Sequence, residues 1–173
     1  MDPIDNPVLQ AIRERRSIRR FTEEPVTREE VLAILEAGRW APSGLNNQPW
    51  RFLVVFAQDP RQESLAAFTK YSRIVRTAQA LVAVFLDTEK VYHTLKDHQS
   101  AGACIQNMLL AAHSLGLGAV WLGEILNQAD EVLDLLELNS EAYAFVGLVA
   151  LGRPADASAS GRMALNDFLL ERI

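Results

Sequence analysis

Glu14-Arg15-Arg16-Ser17-Ile18-Arg19-Arg20-Phe21, followed about one helix later by Ala41-Pro42-Ser43-Gly44-Leu45-Asn46-Asn47-Gln48-Pro49-Trp50, carries most of the information in this chain. The first stretch sets four arginines and a serine within six positions. Guanidinium forks and a hydroxyl are charge-assisted donors suited to a dianionic phosphate. The second stretch brackets hydroxyl, glycine and carboxamide groups between prolines, a rigid loop able to aim polar edges at the heteroatoms of a planar ring. A phosphate segment followed by a heterocycle segment suggests a mononucleotide cofactor. Plainer readings stand beside this one. The arginines could be a solvated helix end that favours the dipole, and the loop could be a turn chosen for its backbone geometry.

Outward from these stretches the chain alternates helix and strand signals. Asn6-Pro7 caps and opens a helix to about residue 15. Thr27-Arg28-Glu29-Glu30 is a capping box, and Val31, Leu32, Ile34 and Leu35 continue it at helical spacing until Pro42 forbids extension. Trp50–Phe56 is rich in β-formers and reads as a buried strand. Asp59-Pro60 opens another helix, and Leu81–Leu86 is a second strand. The longest helix spans 97–115, with Ala101, Ile105, Met108, Leu109, Ala112 and Leu115 along one face. Gly116 and Gly118 end it, and a strand over 119–122, a helix over 129–137 and a strand over 144–151 follow. The expected fold is α+β, a mixed β-sheet flanked by helices within a single domain over 1–173. The small-residue run 155–161 reads as an exposed loop before a closing arm.

Composition narrows the function. A chain of 173 residues is long enough for a proper core, and 49% hydrophobic content leaves apolar surface to spare, one reason to expect an oligomer. A net charge of −5, with no aromatic residues interleaved among the arginines, argues against nucleic-acid binding. The single cysteine, Cys104, excludes an internal disulfide and suits a cytoplasmic protein. The acidic start has no signal-peptide run, and the apolar stretch at 80–86 is too short to span a membrane. His93, His98 and His113 show no metal-ligand spacing, so no metal is expected. His98 with Asp97 could touch substrate or cofactor, but the plainer reading is solvated helix surface.

The two opening stretches, in their order and spacing, resemble the FMN-dependent nitroreductase family. Its first pattern, Arg-basic-Ser-x-basic-x-Phe, is close to Arg15, Arg16, Ser17, Arg19 and Phe21. Its second, Ala-Pro-Ser-x-x-Asn-x-Gln-Pro-Trp, is met by Ala41, Pro42, Ser43, Asn46, Gln48, Pro49 and Trp50. Ile105 to Ala112, Leu115-Gly116-Leu117-Gly118 and Trp121-Leu122-Gly123 look like its central helix and flavin strand, and Leu151-Gly152-Arg153-Pro154 resembles its closing motif. The length matches compact members without long insertions over the active site.

This resemblance implies a set of roles. Arg15, Arg16 and Ser17 would hold the phosphate and ribityl hydroxyls of FMN, and Arg19 would lie near N1 and O2, where a cation favours the reduced, anionic flavin. The backbone of Trp121, Leu122 and Gly123 would run along the flavin and offer N–H groups to N5 or O4. A late basic residue returns to the phosphate in the family; Arg153 and Arg162 are both candidates, and Arg162 is favoured because it begins the closing arm. Pro42, Ser43 and Asn46 would reach the flavin held by the other subunit of a homodimer, whose central contact is the long helix. The implied activity passes hydride from NADH or NADPH through flavin N5 to an electron-poor small molecule such as a nitroaromatic or quinone. No side chain need act as acid or base. The alternatives are a non-catalytic flavin carrier or sensor, and a flavin-fragmenting or dehalogenating relative, for which segment 60–77 offers little lid. The acceptor and the choice between NADH and NADPH are not legible.

Overall fold

Local caps set the helix starts in the computed structural model, which describes residues 5–171. Asn6 Oδ1 accepts the N–H groups of Val8 and Leu9 and starts α1 (Pro7–Glu14). Thr27 and Glu30 close their reciprocal box at the start of α2 (Arg28–Arg39), and Asp59 accepts the Arg61 N–H to open α3 (Pro60–Ala67). Each such cap contributes about 1 kcal/mol. The strands are β1 (Trp50–Phe56), β2 (Ala80–Asp87), β3 (Gly118–Leu122) and β4 (Tyr143–Gly152). Between them lie α4 (Ser72–Thr77), α5 (Thr94–Ser114) and α6 (Ala129–Leu135).

The sheet order is β1-β2-β4-β3, and all three pairings are antiparallel. The parallel component of the expected mixed sheet is a single bridge from Ser17 to Ala119, where the chain after α1 passes the free edge of β3. Alternation along the strands sends side chains to two cores. Val82, Val84, Leu86, Val149 and Leu151 pack under α2 and α5, while Leu81, Ala83, Phe85, Leu148 and Ala150 pack under α3, α4 and α6. Burying each leucine or valine of this kind is worth about 1.5–3 kcal/mol. On α5, Ala101, Cys104, Ile105, Met108, Leu109 and Ala112 are buried, as the helical spacing predicts. Leu115 is not. The helix stops at Ser114, and Leu115 caps it half-exposed before Gly116 turns the chain.

Several apolar side chains find no place in either core. No residue of α1 is buried, and its Val8 and Ile12 face outward. Trp40 is 73% exposed. The arm after β4 leaves Met163, Leu165, Phe168 and Leu170 exposed. No helix among the described residues is long and apolar enough to cross a membrane.

Candidate cofactor site

The basic segment is stitched to the sheet rather than left loose. Ile18 N–H donates to the Ala119 carbonyl (3.0 Å), Thr22 N–H to Arg153 O (2.9 Å), and Ala155 N–H to Arg20 O (3.0 Å). Ile18 packs so tightly on Gly118 that a Cβ there would lie 2.7 Å from Ile18 Cγ2. With Ile18 turned inward, Arg15 and Arg16 border a cleft of about 300 Å³ whose other walls include Leu109 and His113 of α5 and Ala157 and Ser158 of the arm. His113 sits 3.9 Å from Glu14 at the edge of this cleft.

The electrostatics of this corner are unbalanced. Arg15 Nε is buried and makes no hydrogen bond. Burial, then the nearby guanidiniums of Arg162 and Arg16, pull the Arg15 pKa below its ordinary value. Arg16 Nη1 donates only to the carbonyls of Arg13 (2.5 Å) and Arg15 (2.9 Å), Arg19 to Ser17 O (3.2 Å), and Arg162 to Gly161 O (2.9 Å) and Ser160 Oγ (3.4 Å). Among the described residues no carboxylate forms an ion pair with these four arginines. Arg153, the other late candidate, is spoken for. Its Nη1 lies 2.8 Å from Glu30, and its Nε lies 3.2 Å from Glu24, too poorly aligned for a hydrogen bond. Glu30 therefore serves both the α2 capping box and Arg153.

The Pro42–Pro49 loop lies elsewhere. Pro42, Ser43 and Gly44 border a separate cleft against Lys96, Gln99, Ser100 and Ala103. From Gln99 to His113 the helix rises roughly 20 Å, so the arginine cluster and the loop sit at opposite ends of α5. The loop backbone is strained: Leu45, Asn46 and Gln48 have φ of 54°, 55° and 47°. Left-handed backbone at non-glycine residues costs roughly 1–3 kcal/mol each and gathers at functional loops. Gln48 steadies the turn from both ends, its N–H donating to Ser43 Oγ (3.0 Å) and its Nε2 to Asn46 O (3.1 Å). Trp50 anchors the exit in the core. Pro42 and Asn46 face solvent, and Ser43 is half-buried.

At the end of β3, Leu122 turns into the second core, while Trp121 turns to the α5 face and stays half-exposed. Its indole crosses Gly147 of β4, where a Cβ would meet Trp121 Nε1 at 2.5 Å, and reaches toward Gly102 of α5. Gly147 has φ 151° beside the register shift at Val84/Phe85, a local irregularity that only glycine accepts easily. Trp121 and Gly123 are exposed at the strand end, while Leu122 between them is buried.

One residue needs correction from the sequence reading. Asp97 is not solvated surface; it is fully buried. Its Oδ1 accepts from Asn47 Nδ2 (2.7 Å), and its Oδ2 accepts the N–H groups of His93 (2.9 Å) and Tyr92 (3.1 Å). Burial pushes its pKa up, but these three hydrogen bonds and nearby His93 hold it below the ordinary aspartate value. His98 does lie on the exposed helix surface, with Nδ1 2.7 Å from Thr94 O. An aspartate four residues after His93 carried no sequence signal for a partner fifty residues upstream.

With the fold and these sites in view, comparison with known proteins places the chain. The nitroreductase family model matches residues 12–70 and 56–153, and the chain belongs to that family. A candidate nitroreductase from Desulfovibrio desulfuricans, solved in complex with FMN, is 58% identical, superposes with a TM-score of 0.96 and is covered over 98% of each chain. The NADPH:FMN oxidoreductase of Vibrio harveyi, solved with NAD+, superposes with a TM-score of 0.86 at 29% identity, over 97% of this chain and 78% of its own. The FMN reductase [NAD(P)H] of Bacillus subtilis is 30% identical over 89% of this chain and 68% of its own length.

Proposed function

We propose that this protein is an FMN-dependent oxidoreductase that moves hydride from NADH or NADPH to an electron-poor acceptor such as a nitroaromatic or quinone. The observation that carries this reading is the buried Nε of Arg15, which has no hydrogen-bond partner among the described residues and sits among guanidiniums that form no ion pair there, on a chain of net charge −5. A phosphate dianion supplies both the missing acceptor and the missing charge. When bound, FMN supplies the two-electron hydride chemistry. The residues present fit it.

Arg15 and Arg162 bind the phosphate, with Arg16 and Ser17 beside them. Arg162 is preferred to Arg153 because Arg153 already holds Glu30 and Glu24. Arg19 extends along the same edge and offers a cation to the pyrimidine end of the ring. The strand end at Trp121, Leu122 and Gly123, where Trp121 and Gly123 are exposed, offers main-chain N–H groups to the ring edge. No proton has to be moved by a side chain, and Cys104 is not a candidate for chemistry: burial pushes its thiol up to about 12.

The protein works as a homodimer. Ser43 and Asn46 stand roughly 20 Å along α5 from the arginines, so a two-fold axis crossing that helix would set the loop of one chain beside the arginines of the other. The outward apolar side chains of α1, Trp40 and the arm are further support, since they need a cover that their own chain does not give. A flavin-fragmenting or dehalogenating activity is disfavoured because segment 60–77 packs Leu65, Ala66, Ile74 and Val75 into the opposite core and leaves no lid. The buried single thiol suits a cytoplasmic setting.

A steady-state assay with NADH and NADPH against a quinone and a nitroaromatic tests the activity. Parallel double-reciprocal lines are expected, as donor and acceptor use one site in turn. A protein that binds FMN yet oxidises neither nucleotide would instead be a flavin carrier or sensor.

A further inference from the structure

Asp97 and Asn47 join two parts of the chain that neither the phosphate cluster nor the flavin strand explains. Asn47 spends both its amide hydrogens, one on Lys90 O (2.9 Å) and one on Asp97 Oδ1 (2.7 Å). Its own Oδ1 is buried without a partner. Turning the amide over would point that oxygen at a carboxylate and a carbonyl, so the orientation is dictated by Asp97 and Lys90. The carboxylate is in turn fixed by the N–H groups of Tyr92 and His93 at the start of α5. Tyr92 also closes over the loop, with its hydroxyl 2.0 Å from where a Cβ on Gly44 would lie. The residues on either side of Asn47 are the strained ones, Leu45, Asn46 and Gln48. A loop held in three unfavourable backbone conformations stays there only if something outside it pins it.

We propose that Asp97 is a positioning residue: acting through Asn47, it pins the 42–48 loop in the pose that presents Ser43 and Asn46 to the flavin ring. This inference rests on the cofactor reading above. The two oxygens of Asp97 divide the work. Oδ2 caps the start of α5, and Oδ1 holds the loop, so removing the Asn47 side chain releases the loop while leaving the cap in place.

The test compares the parent, Asn47→Ala and Asp97→Asn. In the cofactor-free proteins, hydrogen exchange is read at Asn46, Asn47 and Gln48, whose N–H groups are bonded to Ser43 O, Gly44 O and Ser43 Oγ. Both variants should exchange faster there than the parent. Each stripped protein is then titrated with FMN and with riboflavin. Both variants should lose about tenfold in affinity for both flavins, the cost of ordering a released loop on binding, with altered flavin absorption bands. Both variants should also melt earlier without cofactor: Asn47→Ala leaves Asp97 Oδ1 buried without its donor, and Asp97→Asn disturbs the cap of α5 as well. Unchanged exchange in Asn47→Ala overturns the pin whatever the flavin results. Faster exchange with unchanged flavin affinity and spectrum overturns the link to the cofactor. Loss of FMN affinity without loss of riboflavin affinity would move the defect to the phosphate end and likewise overturn it. A parent that binds no FMN removes the cofactor reading itself, while the exchange result still judges the pin.

Discussion

On the face of the sheet covered by α3, α4 and α6, Gln62 Nε2 meets the carbonyls of Val75 and Ala78, and Glu124 accepts from both Thr69 Oγ1 and the Lys70 N–H. Arg61 and Arg76 each hold a carboxylate, Asp59 and Glu63. On the face covered by α2 and α5, among the described residues, Arg15 Nε and Asn47 Oδ1 are buried and unmatched, Arg15, Arg16, Arg19 and Arg162 form no ion pair, and Leu45, Asn46 and Gln48 of one loop carry strain. The first face is closed by its own chain. The second holds polar groups that fold stability alone would not retain, in keeping with the proposal that this face receives the cofactor and the partner subunit.

The largest effect that separates these faces is complementation. Arg15→Ala and Asn46→Ala chains, each inactive alone, should recover activity when unfolded and refolded together. Random pairing gives about half heterodimers, each with one intact site of two, so recovery should approach about a quarter of the parent. No recovery despite proven heterodimers would return the loop and the arginines to one chain.

Next comes the contrast between two arginines. Arg15→Ala should weaken FMN binding by about 1.5–3 kcal/mol, the range for hydrogen bonds to charged groups, and lower the melting temperature only when FMN is present. Arg153→Ala should do the reverse, lowering the melting temperature of the cofactor-free protein with little change in FMN affinity. Isothermal titration and thermal melts of both variants check the pair, and a loss of FMN affinity in Arg153→Ala would blur the distinction.

A smaller effect is expected at Gly147→Ala. The added methyl meets Trp121 Nε1 at 2.5 Å on a backbone that disfavours a side chain, so the cost should be about 1–3 kcal/mol by chemical denaturation. Trp121 fluorescence should shift with it.

Smallest is the acid limb. The folded Asp97 pKa lies below its ordinary 3.8, so its contribution to stability is present above that value and lost as pH falls through the depressed one. Asp97→Asn should therefore flatten the fall of melting temperature below about pH 4. An unchanged slope would assign that fall to other carboxylates.

Much of this architecture was legible because it is written locally. The caps at Asn6, Thr27 and Asp59 sit beside the helices they start, and the β-formers of Trp50–Phe56 coincide with β1. What escaped is non-local or short. Helix α4 has six residues and no side-chain cap, too brief for a period to register. The order β1-β2-β4-β3 and the Gly147 irregularity arise from pairings far apart in sequence. The ion pairs of Arg153 with Glu24 and Glu30, more than a hundred residues away, are not legible in the sequence, although the closing arm already favours Arg162 for the proposed phosphate contact. Asp97 looked like ordinary helix surface because its partner Asn47 sits at a variable position of the Pro-Ser motif.

The central claim is that the unbalanced arginines and the strained loop form an FMN site, and the visible spectrum of the purified protein tests it most directly. Flavin absorption bands are expected, either as isolated or after adding FMN to the stripped protein, and denaturation should release FMN rather than FAD, since the chain has no motif for an adenylate half. A colourless protein that takes up no FMN at any tested concentration would contradict it.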